Sequence, residues 1–150
     1  MRTTVVDEGR TTAGVATGRP SRHPGPADPV RMIMSTSVAA VDGDASAREV
    51  AERLADAEVG ALVVRNGRHA PGIVSERDVL RALARGADLD TLCAADLEAP
   101  ETVWAGTTDS IATVAGLMHQ ADVRHIPLRT DGQLAGMVSV RDVLSALLGE

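Results

Sequence analysis

Apolar residues between Val30 and Gly149 follow two periods in turn, and the same succession of periods runs twice. In "ASAREVAERLADAEV", Val50, Ala51 and Leu54 fall at the i, i+3/i+4 spacing of one helical face, with Asp44 or Ser46 placed to cap it. The short apolar run "ALVV" follows, then the glycine-bearing "RNGRHAPG", then "IVS": two strands joined as a hairpin, with Asn66-Gly67 as turn residues. A second helix is predicted from Arg77 to about Arg85. The later half repeats each step. "DSIATVAGLMHQADV" places Val114, Ala115 and Met118 on a helical face, "HIPL" and "MVS" flank the turn residues Asp131-Gly132, and a closing helix runs from Arg141 to about Leu148.

Aligning Gly72 with Gly136 gives an offset of 136 − 72 = 64 residues. At that offset, Ala45–Ala84 and Asp109–Leu148 share fifteen identities in forty ungapped positions. The leading strands "SVAAVD" and "ETVWAG" obey the same offset, so each unit reads strand, helix, hairpin, helix. One such unit buries too little apolar surface to stand alone, and two are expected to pack about a pseudo-two-fold axis. The predicted fold is therefore α/β in the α+β sense, with a first repeat at 30–89 and a connector plus second repeat at 90–150. Residues 1–29, rich in Thr, Gly, Arg and Pro and without period, read as a disordered tail.

The motif G-x-x-S-x-x-D stands in both copies, as Gly72, Ser75 and Asp78 and as Gly136, Ser139 and Asp142. A Ser at a helix N-cap with an acid three residues on is the spacing of a capping box, and that role accounts for the pair fully. The same geometry also suits a ligand. A helix N-terminus attracts phosphate, the hydroxyl faces a phosphate or ribose oxygen, and the carboxylate accepts from both ribose hydroxyls. Gly72 and Gly136 let a ligand approach the backbone closely, or serve a tight strand entry.

With these motifs and the order of the elements around them, the chain from about Val30 to Gly149 resembles a tandem pair of CBS domains, the module named after cystathionine β-synthase. The resemblance implies two clefts between the repeats, association into a homodimer, and a regulatory rather than catalytic role. The ligands it implies are adenosine derivatives: AMP, ADP, ATP or S-adenosylmethionine, none of them an obligatory cofactor. By the same resemblance Asp78 and Asp142 grip ribose. Arg124 and His125, in "VRHIPL", contact phosphate, and the adenine slot draws on Ser35 to Ala39, with Thr36 and Val38, and on Pro100 to Val103. Gly60 and Ala61 replace the Arg-His pair in the first copy, so the expected binding is asymmetric. The target is expected to be a separate, unknown protein.

Each of these residues also has a plain structural use. Arg124 would pair at the surface with a carboxylate such as Asp122, His125 would sit partly buried, and Trp104, the sole aromatic, would fill a core or interface. A histidine among phosphate contacts makes binding pH-dependent near neutrality. A ligand-free dimerisation or interaction scaffold is the alternative function.

Composition narrows the classes further. A formal charge of −6, with fifteen basic residues that are all Arg, offers no basic stripe for nucleic acid. No apolar run approaches a membrane span of roughly 20 residues, and the N-terminus lacks the order of a signal peptide, which leads to the expectation of a cytoplasmic protein. The single Cys93 and the scattered His23, His69 and His119 offer neither a disulfide nor metal spacing. No nucleophile setting, Walker loop or dinucleotide glycine fingerprint points to an enzyme.

Overall fold

The computed structural model describes residues 22–66 and 71–150. After a 3-10 turn at Val30–Met32 come β1 (Ala40–Asp42), α1 (Ala47–Ala57), β2 (Ala61–Arg65), β3 (Gly72–Ser75) and α2 (Glu76–Ala84). A short α3 (Ala94–Leu97) leads into β4 (Ala105–Gly106), α4 (Ile111–Ala121), β5 (His125–Thr130), β6 (Gln133–Ser139) and α5 (Val140–Leu148). The strands form two three-stranded sheets, β1-β2-β3 and β4-β5-β6. In each, the first pairing is parallel and the second antiparallel, as a helical crossover followed by a hairpin requires.

Local chemistry explains the element ends. Ser46, rather than Asp44, caps α1: its hydroxyl accepts from the Glu49 N–H at 3.1 Å, and the Glu49 carboxylate accepts from the Ser46 N–H at 2.7 Å. The second hairpin turns on Asp131 (φ 51°) and Gly132 (φ 76°), both in the left-handed region that a two-residue type I′ turn demands. The first hairpin's Asn66-Gly67 turn, like His69, runs into residues outside those described.

The repeats follow one another along the chain, but their packing units interleave. Val30 lies fully buried in the second repeat's core with Ile111, Val114, Ile126 and Leu128, while Ala94 is fully buried in the first repeat's core with Val50, Leu62 and Val74. The backbone bonds are reciprocal at the repeat offset. The Val30 N–H donates to Asp109 O at 2.8 Å and the Ala94 N–H to Ala45 O at 2.8 Å; the Arg31 N–H donates to Thr107 O at 3.1 Å and the Ala95 N–H to Gly43 O at 2.9 Å. Ser35 exchanges two bonds with Met137 on β6, at 2.8 and 2.9 Å, and the Ala99 N–H donates to Ile73 O on β3 at 3.3 Å. Each repeat thus lends its leading segment to the other. The expected division at 89/90 separates the repeats in sequence, whereas residues 30–35 pack with the second and residues 94–99 with the first. Part of the expected tail is also ordered: Pro26 O and Asp28 O accept from the Ala112 and Ile111 N–H groups at 2.9 Å each, at the start of α4.

Exchange also accounts for the repeated glycines. A Cβ at Gly136 would meet Ser35 O at 2.7 Å and Met34 Sδ at 2.8 Å, and one at Gly72 would meet the Glu98 carboxylate. Gly136→Ala is expected to cost about 1–3 kcal/mol, because the carbonyl it strikes is held by the Met137 N–H. Gly72→Ala should cost about 1 kcal/mol or less, because the obstacle is a side chain that can swing away from Asn66. Chemical denaturation of the two variants side by side checks this order.

Candidate functional site

Both Ser-Asp motifs form complete capping boxes. At α2 the Asp78 Oδ2 accepts from the Ser75 N–H at 2.7 Å and from its hydroxyl at 2.9 Å, and the Asp78 N–H donates back to Ser75 Oγ at 3.4 Å. At α5 the matching distances for Ser139 and Asp142 are 2.8, 2.8 and 3.2 Å. The structural use of the motif is therefore realised twice. Asp78 Oδ1 takes no part in its box, which leaves one carboxylate oxygen for another partner.

Asp78 also lines a cavity of about 650 Å³ between the repeats. Ser75, Asp78 and Gly60 reach it from the first repeat, and Arg124 and His125 from the second. Ile73, Leu80, Ala99 and Val123 supply apolar wall. The exchanged segment thus contributes to the cavity through Ala99, one residue before the expected adenine stretch at Pro100. Thr36, Val38, Gly72, Gly136, Ser139, Asp142 and Trp104 do not line it. Ser139 and Asp142 cap the pseudo-symmetric helix, Thr36 and Val38 follow the Ser35 bridge to β6, and Trp104 carries the Arg129 guanidinium 5.8 Å from its ring centroid.

The asymmetry between the copies has a steric cause. A Cβ at Gly60 would stand 2.7 Å from His125 Cε1 and 2.9 Å from Nε2, so the His125 ring rests where a first-repeat side chain would otherwise be. The backbone around it remains symmetric: the Glu76 N–H donates to Gly60 O at 3.0 Å, and the Val140 N–H to Arg124 O at 2.8 Å. Two bulky side chains do not fit at the axis. The small residues of one copy and the large ones of the other are complementary.

Arg77 and Arg81 also line the cavity. The Ser-Asp motif does not include them, although Arg81 lies at i+3 from Asp78 and at i+4 from Arg77 on one helix, a spacing that marks a shared face. Asp122, the partner anticipated for Arg124, is taken by Arg77: Nη1 donates to the Asp122 carbonyl at 2.8 Å and lies 3.3 Å from Oδ2. Among the described residues Arg124 makes no ion pair. No group of three or more His, Cys, Asp or Glu among the described residues is placed to hold a metal ion.

Burial pushes the His125 imidazole below its ordinary value; Glu76 and Asp142 act against that shift and Arg124 adds to it. A depressed folded-state value means that the unfolded chain takes up this proton first as pH falls. The stability contributed by neutral His125 is present above about pH 6.5 and declines below it. His125→Gln should therefore flatten the loss of stability between about pH 6.5 and 5, measured by urea unfolding across that range.

The CBS domain profile matches residues 30–85 and 94–149. The chain belongs to the CBS-domain family. It is 32% identical over 122 residues to an uncharacterised 17.7 kDa protein of Acidianus ambivalens, covering 79% of this chain and 73% of that one. It is 26% identical over 115 residues to hypoxic response protein 1 of Mycobacterium tuberculosis, covering 75% and 80%. Among solved structures, a CBS-domain protein of Pyrobaculum aerophilum complexed with AMP is 31% identical, with a TM-score of 0.68 and coverage of 76% and 88%. A CBS-domain protein of Agrobacterium tumefaciens is 28% identical, with a TM-score of 0.75 and coverage of 81% and 95%. The protein is thus a tandem CBS pair, a regulatory ligand-binding module. No helix among the described residues is long and apolar enough to cross a membrane.

Proposed function

We propose that this CBS pair senses an adenine nucleotide in the cavity between its repeats and signals its occupancy to a separate protein. The observation that carries this reading is the meeting, in one cavity, of Asp78 from the first repeat with Arg124 and His125 from the second. The Asp78 carboxylate suits ribose hydroxyls, the Arg124 guanidinium suits phosphate, and the apolar wall at Ile73 and Ala99 suits adenine. The AMP complex of the Pyrobaculum relative supports the same ligand class. For the ligand to regulate anything, it must bind two arrangements of the pair with different affinity. The Asp78 and Arg124 contacts come from different repeats, so their simultaneous formation favours one arrangement.

At 100 times its dissociation constant, AMP, ADP or ATP should stabilise the chain by about 2.7 kcal/mol. Thermal unfolding of nucleotide-stripped protein is expected to show this as a shift of roughly 5–10 °C. Arg124→Ala should reduce the shift for phosphorylated ligands and leave any response to adenosine intact. Asp78→Ala should abolish both responses while costing about 1 kcal/mol of stability for the lost cap. A stability loss without any ligand response in the parent protein would favour the scaffold reading, which the two complete capping boxes support.

The homodimer belongs to the same proposal. The two equivalent helices α2 and α5 expose Leu80 and Leu83, and Leu144 and Leu147, at matching positions. Leu80, 65% exposed, also borders the cavity, so a second copy on this face would stand at its mouth. These four leucines are apolar surface that a monomer would leave wet. Sedimentation equilibrium should give a dimer, and Leu80→Glu combined with Leu144→Glu should give a folded monomer.

A further inference from the structure

Arg77 and Asp122 join the repeats at the cavity wall, and both line it. Their counterparts 64 residues away are Arg141 and Glu58, which make no ion pair among the described residues. Asp122 and Glu58 end α4 and α1 in the same left-handed conformation, with φ of 52° and 53°. The backbone therefore presents the two acids alike, and the closed pair is particular to the cavity that also holds Arg124 and His125.

The pair is well placed to open. The Asp122 side chain is 88% exposed, and an ion pair that reaches so far into water is weakly held. Arg77 is 33% exposed and stands two residues after the Ser75 cap, in the first turn of α2, where the positive end of the helix dipole favours an anion. A terminal phosphate offers a guanidinium more charge and more acceptor oxygens than one solvated carboxylate.

We infer that Arg77 is a phosphate-reading residue held by Asp122 until a ligand phosphate displaces the carboxylate, so that Asp122 sets how much negative charge a ligand must carry to bind well. This rests on the reading of the cavity as a nucleotide site and narrows its ligand to adenosine bearing a dianionic terminal phosphate. Adenosine itself, and the cationic S-adenosylmethionine, leave the pair closed. The bond from Arg77 Nη1 to the Asp122 carbonyl at 2.8 Å does not depend on the carboxylate, so α2 stays tied to the end of α4 while the carboxylate yields to the phosphate.

The test is calorimetric titration of the full chain with AMP and with adenosine, using the parent, Asp122→Asn, Arg77→Ala and the double variant. Asparagine tolerates the left-handed backbone at position 122, so that variant should keep the fold. Asp122→Asn is expected to tighten AMP binding about fivefold and to leave adenosine unchanged, the gain expected when a surface pair no longer competes. Arg77→Ala should weaken AMP binding and erase the gain from Asp122→Asn in the double variant. A gain that persists without Arg77 would overturn the proposal, because it would reflect only the lost negative charge. Unchanged AMP affinity in Asp122→Asn would overturn it as well, while leaving the nucleotide site standing. Failure of the parent to bind AMP or adenosine would remove both readings together.

Discussion

The reciprocal exchange of leading segments is the constraint on which the rest of this structure depends. Val30 completes the core built on β4, β5 and β6, and Ala94 completes the one built on β1, β2 and β3. Neither repeat closes its core from its own contiguous residues. The bonds from Ser35 to Met137 and from Ala99 to Ile73 then fix the segments along the outer strands of the opposite sheets. Because the links run both ways, the repeats cannot separate without opening both cores. That coupling holds the relative position of two sheets that share no strand.

The cavity inherits its geometry from this arrangement. Ala99 reaches its wall because the exchanged segment crosses β3, and Asp78 reaches it because α2 begins where β3 ends. Arg124 and His125 arrive from the start of β5, on the other side of the pseudo-two-fold axis. The site is thus assembled by the contact between repeats rather than by either one. A ligand held there would bridge them, which is the physical basis for a sensor that works by changing how two similar units sit together.

One divergence between the repeats falls where symmetry would cause a collision. Gly60 yields its space to the His125 ring, while the cap serines, their aspartates and the strand glycines are kept in both copies. The retained residues serve needs that each copy has separately: a helix start to satisfy, or an exchanged segment to let past. At the axis a single volume is shared, and only one side chain fills it. Burial there also makes His125 reluctant to take up a proton, which links the packing of the axis to pH.

The amino-acid sequence by itself determined what short-range chemistry dictates. The helical faces of α1 and α4, the Asp131-Gly132 turn and the serine caps of α2 and α5 all follow from residues a few positions apart, and the 64-residue offset revealed that the fold is doubled. Ser75 and Asp78 were singled out in the sequence by the doubled motif, alongside Ser139 and Asp142, and Arg124 and His125 by the family resemblance and the contrast between copies. That these four, without Ser139 and Asp142, share one cavity appears only in the tertiary structure. The tertiary structure alone decided that residues 30–35 pack with the later repeat, that Gly72 and Gly136 make room for exchanged segments, and that Arg77 rather than Arg124 meets Asp122. Period and capping describe a residue's neighbours within one or two turns of chain. Which repeat receives a segment depends on the shape of two cores and on clashes at their shared axis, and neither is encoded within that span.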